Sequence, residues 1–266
     1  MGYQQKFEAV GGLDDIDKAI SYLGRVLSLS PRRSLTIAAL INLGDSHRRR
    51  YQRLNDPEDI DKATEYHNLS LAHIEASDDL RLASQSLNNL GLVHLIKYGI
   101  QREYSDIEKA IQYLSRALLS DTTRNTASRS IWLANLGIAR MIRYSHLQED
   151  DDMNEGIRAY NEALTCTSPE SPVRPMVLAN LGLTLWSRFQ KYANDEDIQA
   201  AISSMSHGIS LLPTEHPDMS KMLNTLGKIC QTQAEYLDDA KSLRDSSDSF
   251  KKAAPSGFPA SADETI

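Results

Sequence analysis

The amino-acid sequence predicts an all-α solenoid, a stack of antiparallel helix pairs that grows along one axis. Three observations predict it. A glycine recurs at Gly44, Gly91, Gly137, Gly182 and Gly227, at intervals of 47, 46, 45 and 45 residues. An acid recurs at Asp15, Asp59, Asp106, Asp152 and Asp197, followed in turn by Ile16, Ile60, Ile107, Met153 and Ile198. From glycine to acid the distance is always 15 residues, whereas from acid to the next glycine it is 29, 32, 31, 30 and 30. A unit of this length cannot bury its apolar face alone and must stack on its neighbours. The half that varies holds the surface loop between units.

Composition agrees with a core spread thinly through the stack. Hydrophobic residues make up 41% of the chain, with only four Phe and two Trp, so Leu, Ile and Ala must carry the packing. The length of 266 residues sets no domain count for an array. A net charge of −7 argues against nucleic acid as a partner, because that affinity rests on dense Lys and Arg. No run approaches the length of a membrane span and the opening MGYQQKFEAV is polar, which predicts no membrane partner and a cytoplasmic location. Cys166 and Cys230 lack any CxxC spacing and are expected reduced and mostly buried.

The elements follow in order. Lys6-Phe7 precedes Asp15 as Arg50-Tyr51 precedes Asp59, so the chain is expected to begin halfway along a first helix whose glycine would fall before Met1. The stripe Ala19-Ile20, Leu23 and Val26-Leu27 marks the second helix of that unit, ended by Ser30-Pro31. Leu40, Leu43 and Tyr51 form the first-helix stripe of the next unit, and recur as Leu87, Leu90 and Tyr98, as Leu133, Leu136 and Tyr144, and as Leu178, Leu181 and Phe189. Its partner helix opens at Asn55-Asp56-Pro57-Glu58-Asp59, where Asp56 caps, Pro57 suits the first turn and the acids suit the helix dipole. Ala110-Ile111, Leu114 and Ala117-Leu118 repeat the second-helix stripe, then Gly156-Ile157, Tyr160 and Ala163-Leu164 before Ser168-Pro169, then Ala201-Ile202 and Met205 before Leu212-Pro213. From Gly227 the 15-residue rule projects to Ser242, with Leu243, Phe250 and Ala253-Ala254 at second-helix positions of a degenerate last unit. The array is thus expected over 1–254, as about five full units with a partial first and a degenerate last, and a disordered tail over 255–266.

Leu-Gly in one helix, an aromatic further along it, and Ala-Ile then Ala-Leu in the next resemble the tetratricopeptide repeat, from about residue 3 to 254. The usual unit is about 34 residues, whereas this one runs to about 46, so each first helix should be longer by nearly two turns. The resemblance implies a right-handed superhelical solenoid whose concave face holds a peptide or protein segment. Long units with Asn-Leu-Gly, then Arg-Tyr or Arg-Phe, then Asp-Ile, are also similar to arrays in fungal proteins. Some of those continue into a CHAT-type peptidase domain and others sit on NTPase receptor chains. That likeness implies an alternative role, a self-association or sensor arm of a larger fungal regulatory protein, homo-oligomeric through an unsealed first repeat.

Several ladders are candidates for function. Asn42, Asn89, Asn135 and Asn180 each stand before Leu-Gly, with Thr225 in the fifth copy, although asparagine is a poor helix-interior residue. By the resemblance they line the groove and grip a ligand backbone; equally, each amide could bond a neighbouring helix and set the pitch. Trp186 is a candidate groove anchor or a core residue, and Met141 and Ile142 are expected to add an apolar floor. Lys6, Arg50, Lys97, Arg143 and Arg188, ended by Gln233, either form a basic strip or pair with the recurring acids, and pairing is favoured. Arg48-Arg49-Arg50 reads as a solvated face, and the aromatics Phe7, Tyr51, Tyr98, Tyr144 and Phe189 read as packing. His47 and His94 are expected to approach each other across adjacent repeats, without a third ligand for a metal. No nucleophile motif, phosphate loop or metalloprotease motif is present, so the sequence points to no enzyme, no cofactor and no metal, and to a protein or peptide ligand.

Overall fold

The computed structural model describes residues 12–29, 32–75, 80–121 and 127–253, and among them only helices and their connecting turns. The helices are α1 (Leu13–Ser28), α2 (Arg33–Leu54), α3 (Pro57–Glu75), α4 (Leu80–Gln101), α5 (Tyr104–Ser120), α6 (Ala127–Leu147), α7 (Asp150–Cys166), α8 (Arg174–Tyr192), α9 (Asp195–Ser210) and α10 (Met219–Ala253). Each packs on the next. The first helices of successive units also touch, α2 on α4, α4 on α6 and α6 on α8. That row is therefore the more closely spaced one, and the stack bends toward it. The expectations for Lys6, Phe7 and the tail 255–266 lie outside the described residues.

The glycines mark where the two helices of a pair cross. A Cβ on Gly44 would lie 2.6 Å from the His67 ring, one on Gly91 2.5 Å from Leu114, and one on Gly137 2.6 Å from Tyr160. On Gly182 it would meet the Ala201 carbonyl at 3.0 Å and the Met205 side chain at 3.5 Å. His67, Leu114, Tyr160 and Met205 all stand eight residues after the acid, so one row of the second helix lies over one row of glycines. A Cβ at Gly44, Gly91 or Gly137 would force the facing side chain to move, and one at Gly182 would press on the Ala201 backbone.

The invariant 15-residue spacing comes from one turn. Asn55, Arg102, Gln148 and Ala193 each adopt the left-handed conformation, with φ of 53°, 58°, 55° and 52°. Their amides donate to the carbonyls of Tyr51, Tyr98, Tyr144 and Phe189 at 2.7–2.9 Å. Four non-glycine residues at positive φ are strained by about 1 kcal/mol each, so the surroundings must hold them there. What holds them is the recurring acid, buried at Asp59, Asp106, Asp152 and Asp197. Arg50 grips Asp59 through Nε and Nη2 (2.9 and 2.7 Å), Arg143 grips Asp152 likewise (2.7 and 2.7 Å), and Arg188 Nε donates to Asp197 at 2.8 Å. The pairing expected of the basic ladder is present in these three units. In the fourth, Lys97 reaches Asp61 of the preceding unit at 2.8 Å, and His94 takes Asp106 in its place.

The ladder also ties units together. Arg50 Nη1 donates to Asp17 at 3.1 Å and Arg143 Nη1 to Glu108 at 3.0 Å, matching Lys97 to Asp61. Asp17, Asp61 and Glu108 each stand two residues after an acid of the preceding unit. Tyr98, Tyr144 and Phe189 are buried as expected of packing residues, and Tyr51 is half-buried. Arg50 is thus no part of a solvated cluster, and Arg48 leans on Asp45 at 3.4 Å.

Two expectations are corrected. The turn projected before Ser242 does not form, and α10 runs unbroken for 35 residues. At that end Ala234 replaces the aromatic, Gln233 the base and Ser242 the acid, so nothing stabilises a strained turn against continued helix. Accordingly a Cβ on Gly227 meets nothing within 4 Å. Cys230, expected to be buried, is exposed on the same helix.

One core position is anomalous. His67 fills the slot over Gly44 that Leu114 fills over Gly91; it is fully buried, and neither ring nitrogen has a hydrogen-bond partner. Burial, first of all, pushes its pKa down to about 4, with Asp45 pulling it up and Arg48 down. The folded state therefore binds fewer protons than the unfolded one as pH falls from about 6.5 toward 4, and stability is lost across that window. His67→Leu should stabilise the protein at neutral pH by about 1–2 kcal/mol and flatten the loss between pH 6 and 4, measured by chemical denaturation at each pH. Asp152→Asn removes the carboxylate that Arg140 and Arg143 share, leaving Arg143 only Glu108, and should destabilise by about 3 kcal/mol, read by the same method.

Candidate functional site

With the glycine row turned to the partner helix, helical periodicity assigns the opposite face of each first helix. Positions six and two before the glycine, and one after it, share that face and line the inner side of the bend. One position after the glycine reads Asp45, Leu92, Ile138, Leu183 and Lys228; six before it reads Ala38, Gln85, Ile131, Met176 and Lys221. The middle of the surface is apolar and partly open, with Leu183 39% and Met176 37% exposed. An acid stands at one end and two lysines at the other.

The asparagines stand on this face, two residues before each glycine, and they differ in fate. Asn42 is exposed and Asn180 half-buried. Asn89 and Asn135 are buried and bonded across helices: Asn89 Nδ2 donates to Asp45 at 3.3 Å, Asn88 Nδ2 to Asn89 Oδ1 at 3.2 Å, and Asn135 Nδ2 to Asn88 Oδ1 at 3.0 Å. This chain of amides joins α2, α4 and α6. Asn88 is its unforeseen member, and the doubled asparagine was the signal for it. Trp186 is half-buried against the core and donates its Nε1–H to Thr232 at 3.2 Å. Met141 and Ile142, expected in the floor, are partly buried against the cores, Met141 packing over Gly156 at a distance a Cβ there would make 3.4 Å. The floor is instead Ile131, Ile138, Met176 and Leu183, because these lie opposite the glycine and Met141 does not.

His47 and His94 do not face each other. Each ring turns into its own unit, with Nδ1 2.8 Å from Asp59 or Asp106 and the ring stacked on Tyr66 or Tyr113 at 5.5 and 5.4 Å. Burial lowers both histidine pKa values more than the carboxylates raise them, so the neutral rings donate Nδ1–H to the acids. Burial alone would raise the pKa of Asp59 and Asp152, but their hydrogen bonds to Arg50 and His47, and to Arg143 and Arg140, hold both below the usual carboxylate range. These are ion pairs turned inward, placed to hold the fold. A cleft of about 300 Å³ where α5 ends and α6 begins is lined by Leu118, Leu119, Asp121, Arg129 and Glu162, and Arg129 is already bonded there to Glu162 at 2.7 Å. Among the described residues no three His, Cys, Asp or Glu side chains gather to hold a metal ion, and no helix is long and apolar enough to cross a membrane.

No family model matches the chain, and no curated protein does. Among solved structures it is similar to the crystal structure of BtubC (BKLC) from P. vanneervenii, with a TM-score of 0.62 and 15% identity over 96% of each chain. A de novo designed helical repeat protein, DHR64, aligns over 87% of this chain and 100% of its own, at a TM-score of 0.30 and 11% identity. The likeness to BtubC bears on the fold, and that fold is an all-α helical-repeat solenoid.

Proposed function

We propose that this chain is a non-enzymatic protein-interaction scaffold of tetratricopeptide-like repeats, cytoplasmic, which holds a peptide or protein segment on its inner face. The observation that carries the reading is the open apolar floor Ile131, Ile138, Met176 and Leu183, lying opposite the glycine row. Nothing in the packing of the stack requires Leu183 and Met176 to be apolar, since both are more than a third exposed. Exposed apolar side chains in a row with polar margins are the usual mark of a docking surface. A matching segment has apolar side chains at its centre, a basic end toward Asp45 and an acidic end toward Lys221 and Lys228. Asn42 and Asn180 are the amides freest to bond its backbone. Asn89 and Asn135 hold the spacing of the first helices beneath it, and Trp186, at the register of Met141, is half-buried against the core and bonded to Thr232.

Peptides selected from a displayed random library against the intact protein, then measured by fluorescence anisotropy, test this. Met176→Glu with Leu183→Glu should weaken selected peptides at least about tenfold, and Asn42→Ala with Asn180→Ala by a smaller factor. Leu119→Glu, at an 84% exposed residue of α5, should leave binding unchanged. Wild-type affinity in the Met176 and Leu183 variant would overturn the reading.

A further inference from the structure

The edge of the stack where each first helix turns into its partner carries a second exposed apolar row. In the middle units it consists of Ile100 and Tyr104 on either side of the turn from α4 to α5, Leu147 at the end of α6 and Tyr192 at the end of α8, exposed by 40%, 39%, 44% and 50%. Helix ends commonly shelter an apolar residue against the cap, but these stand out in water. Leu147 and Tyr192 lie ten residues after their glycines, against one residue for Ile138 and Leu183 of the inner floor. That difference places the two rows about 13 Å apart along the helices, so the edge is a separate surface. Contacts between units make the row continuous. The Tyr98 hydroxyl bonds His146, beside Leu147, and Tyr192 leans back onto the preceding unit, donating its hydroxyl to Asp150. Lys191 bonds the same Asp150, and the Gln148 carbonyl at 3.4 Å.

The charge beside the row is mostly of one sign. Glu103, Glu149, Asp151, Asp195 and Glu196 are exposed at the heads of α5, α7 and α9. Glu103 and Glu149 occupy cap positions, yet neither side chain makes the cap bond, whereas Asn194 at the same place does. Two bases of the edge are engaged locally, Arg102 over the Tyr98 ring at 5.5 Å and Lys191 on Asp150. We propose that this edge docks a basic amphipathic helix of a partner protein, its apolar side chains on Ile100, Leu147 and Tyr192 and its Lys or Arg side chains against the acids. Successive first helices touch, so their axes lie about 10 Å apart, close to two turns of an α-helix at about 10.8 Å. One residue in about seven of the bound helix therefore meets each turn in succession, and about 18 residues span the three turns. The acids disfavour nucleic acid and an anionic lipid surface, which need the opposite sign.

Fluorescence anisotropy with two labelled peptides of about 18 residues tests it, both patterned as helices with leucine on one face, one carrying Lys on the other face and one Glu. The Lys peptide should bind the intact protein, more weakly as salt rises, and the Glu peptide should not. Ile100→Ser, Leu147→Ser and Tyr192→Ser together should weaken the Lys peptide at least about tenfold while leaving the melting temperature close to wild type, since all three side chains are exposed. Glu103→Gln, Glu149→Gln and Asp151→Asn together should weaken it about fivefold and flatten the salt dependence. Met176→Ser with Leu183→Ser should bind it like the wild type, which separates the edge from the inner face. Absence of binding, equal binding of the Glu peptide, or full affinity in the serine variant of the edge would each overturn the proposal. So would self-association of the wild type in sedimentation velocity that the same three serines abolish, since a second copy would then occupy the edge.

Discussion

Everything in this stack depends on how closely two helices approach at the glycine. There the second helix presses a side chain or its own backbone into the space a Cβ would take, and about two turns away the same pair shuts an aspartate away from water. Desolvation alone would drive that carboxylate toward its neutral form, and the guanidinium or imidazole of the first helix reverses the balance. Buried ion pairs of this kind contribute little net stability against an apolar alternative, but once present they permit very little play. The apolar rows therefore supply the stability and the acid supplies the register. Four strained residues at the turns measure how firmly that register is imposed.

The same bases set the angle between units. A guanidinium that bonds the acid of its own turn and a second acid from the preceding unit acts as a fixed hinge pin, seen at Arg50 and Arg143. Where the second acid is replaced by Asn154, Arg188 holds only its own turn. On the inner side the amides running from Asp45 through Asn89 and Asn88 to Asn135 do the equivalent work between first helices. Because both devices lie within the stack, the remaining inner positions are released from packing. They change from acid to leucine, isoleucine, leucine and lysine along one row while the helices beneath stay alike.

Where the devices are missing, the architecture changes at once. In the last unit the aromatic, the base and the acid are all replaced, and the chain continues as one helix through the place where four earlier units turn back. The consequence is read at Gly227, where a Cβ would meet nothing within 4 Å, in contrast to the four earlier glycines of the row.

The periodicity by itself determined the helix pairs, their order and the face each buries, because apolar rows, glycine and acid at fixed offsets obey local helical geometry. It also favoured the pairing of bases with acids, since the two recur one turn apart. Tertiary structure alone decided which partner each base would take. Lys97 and Arg50 occupy the same place in the repeat and each has a histidine three residues earlier on the acid, yet Arg50 holds both Asp59 and Asp17 through its forked guanidinium, whereas Lys97, with a single ammonium, goes to Asp61. It decided likewise that Asn89 bonds Asp45 and Asn135 bonds Asn88 across helices while Asn42 stays open, that Met141 packs inward while Leu183 stays out, and that no turn forms near Ser242. Each of these turns on competition for one neighbour in space, which spacing along a chain does not encode.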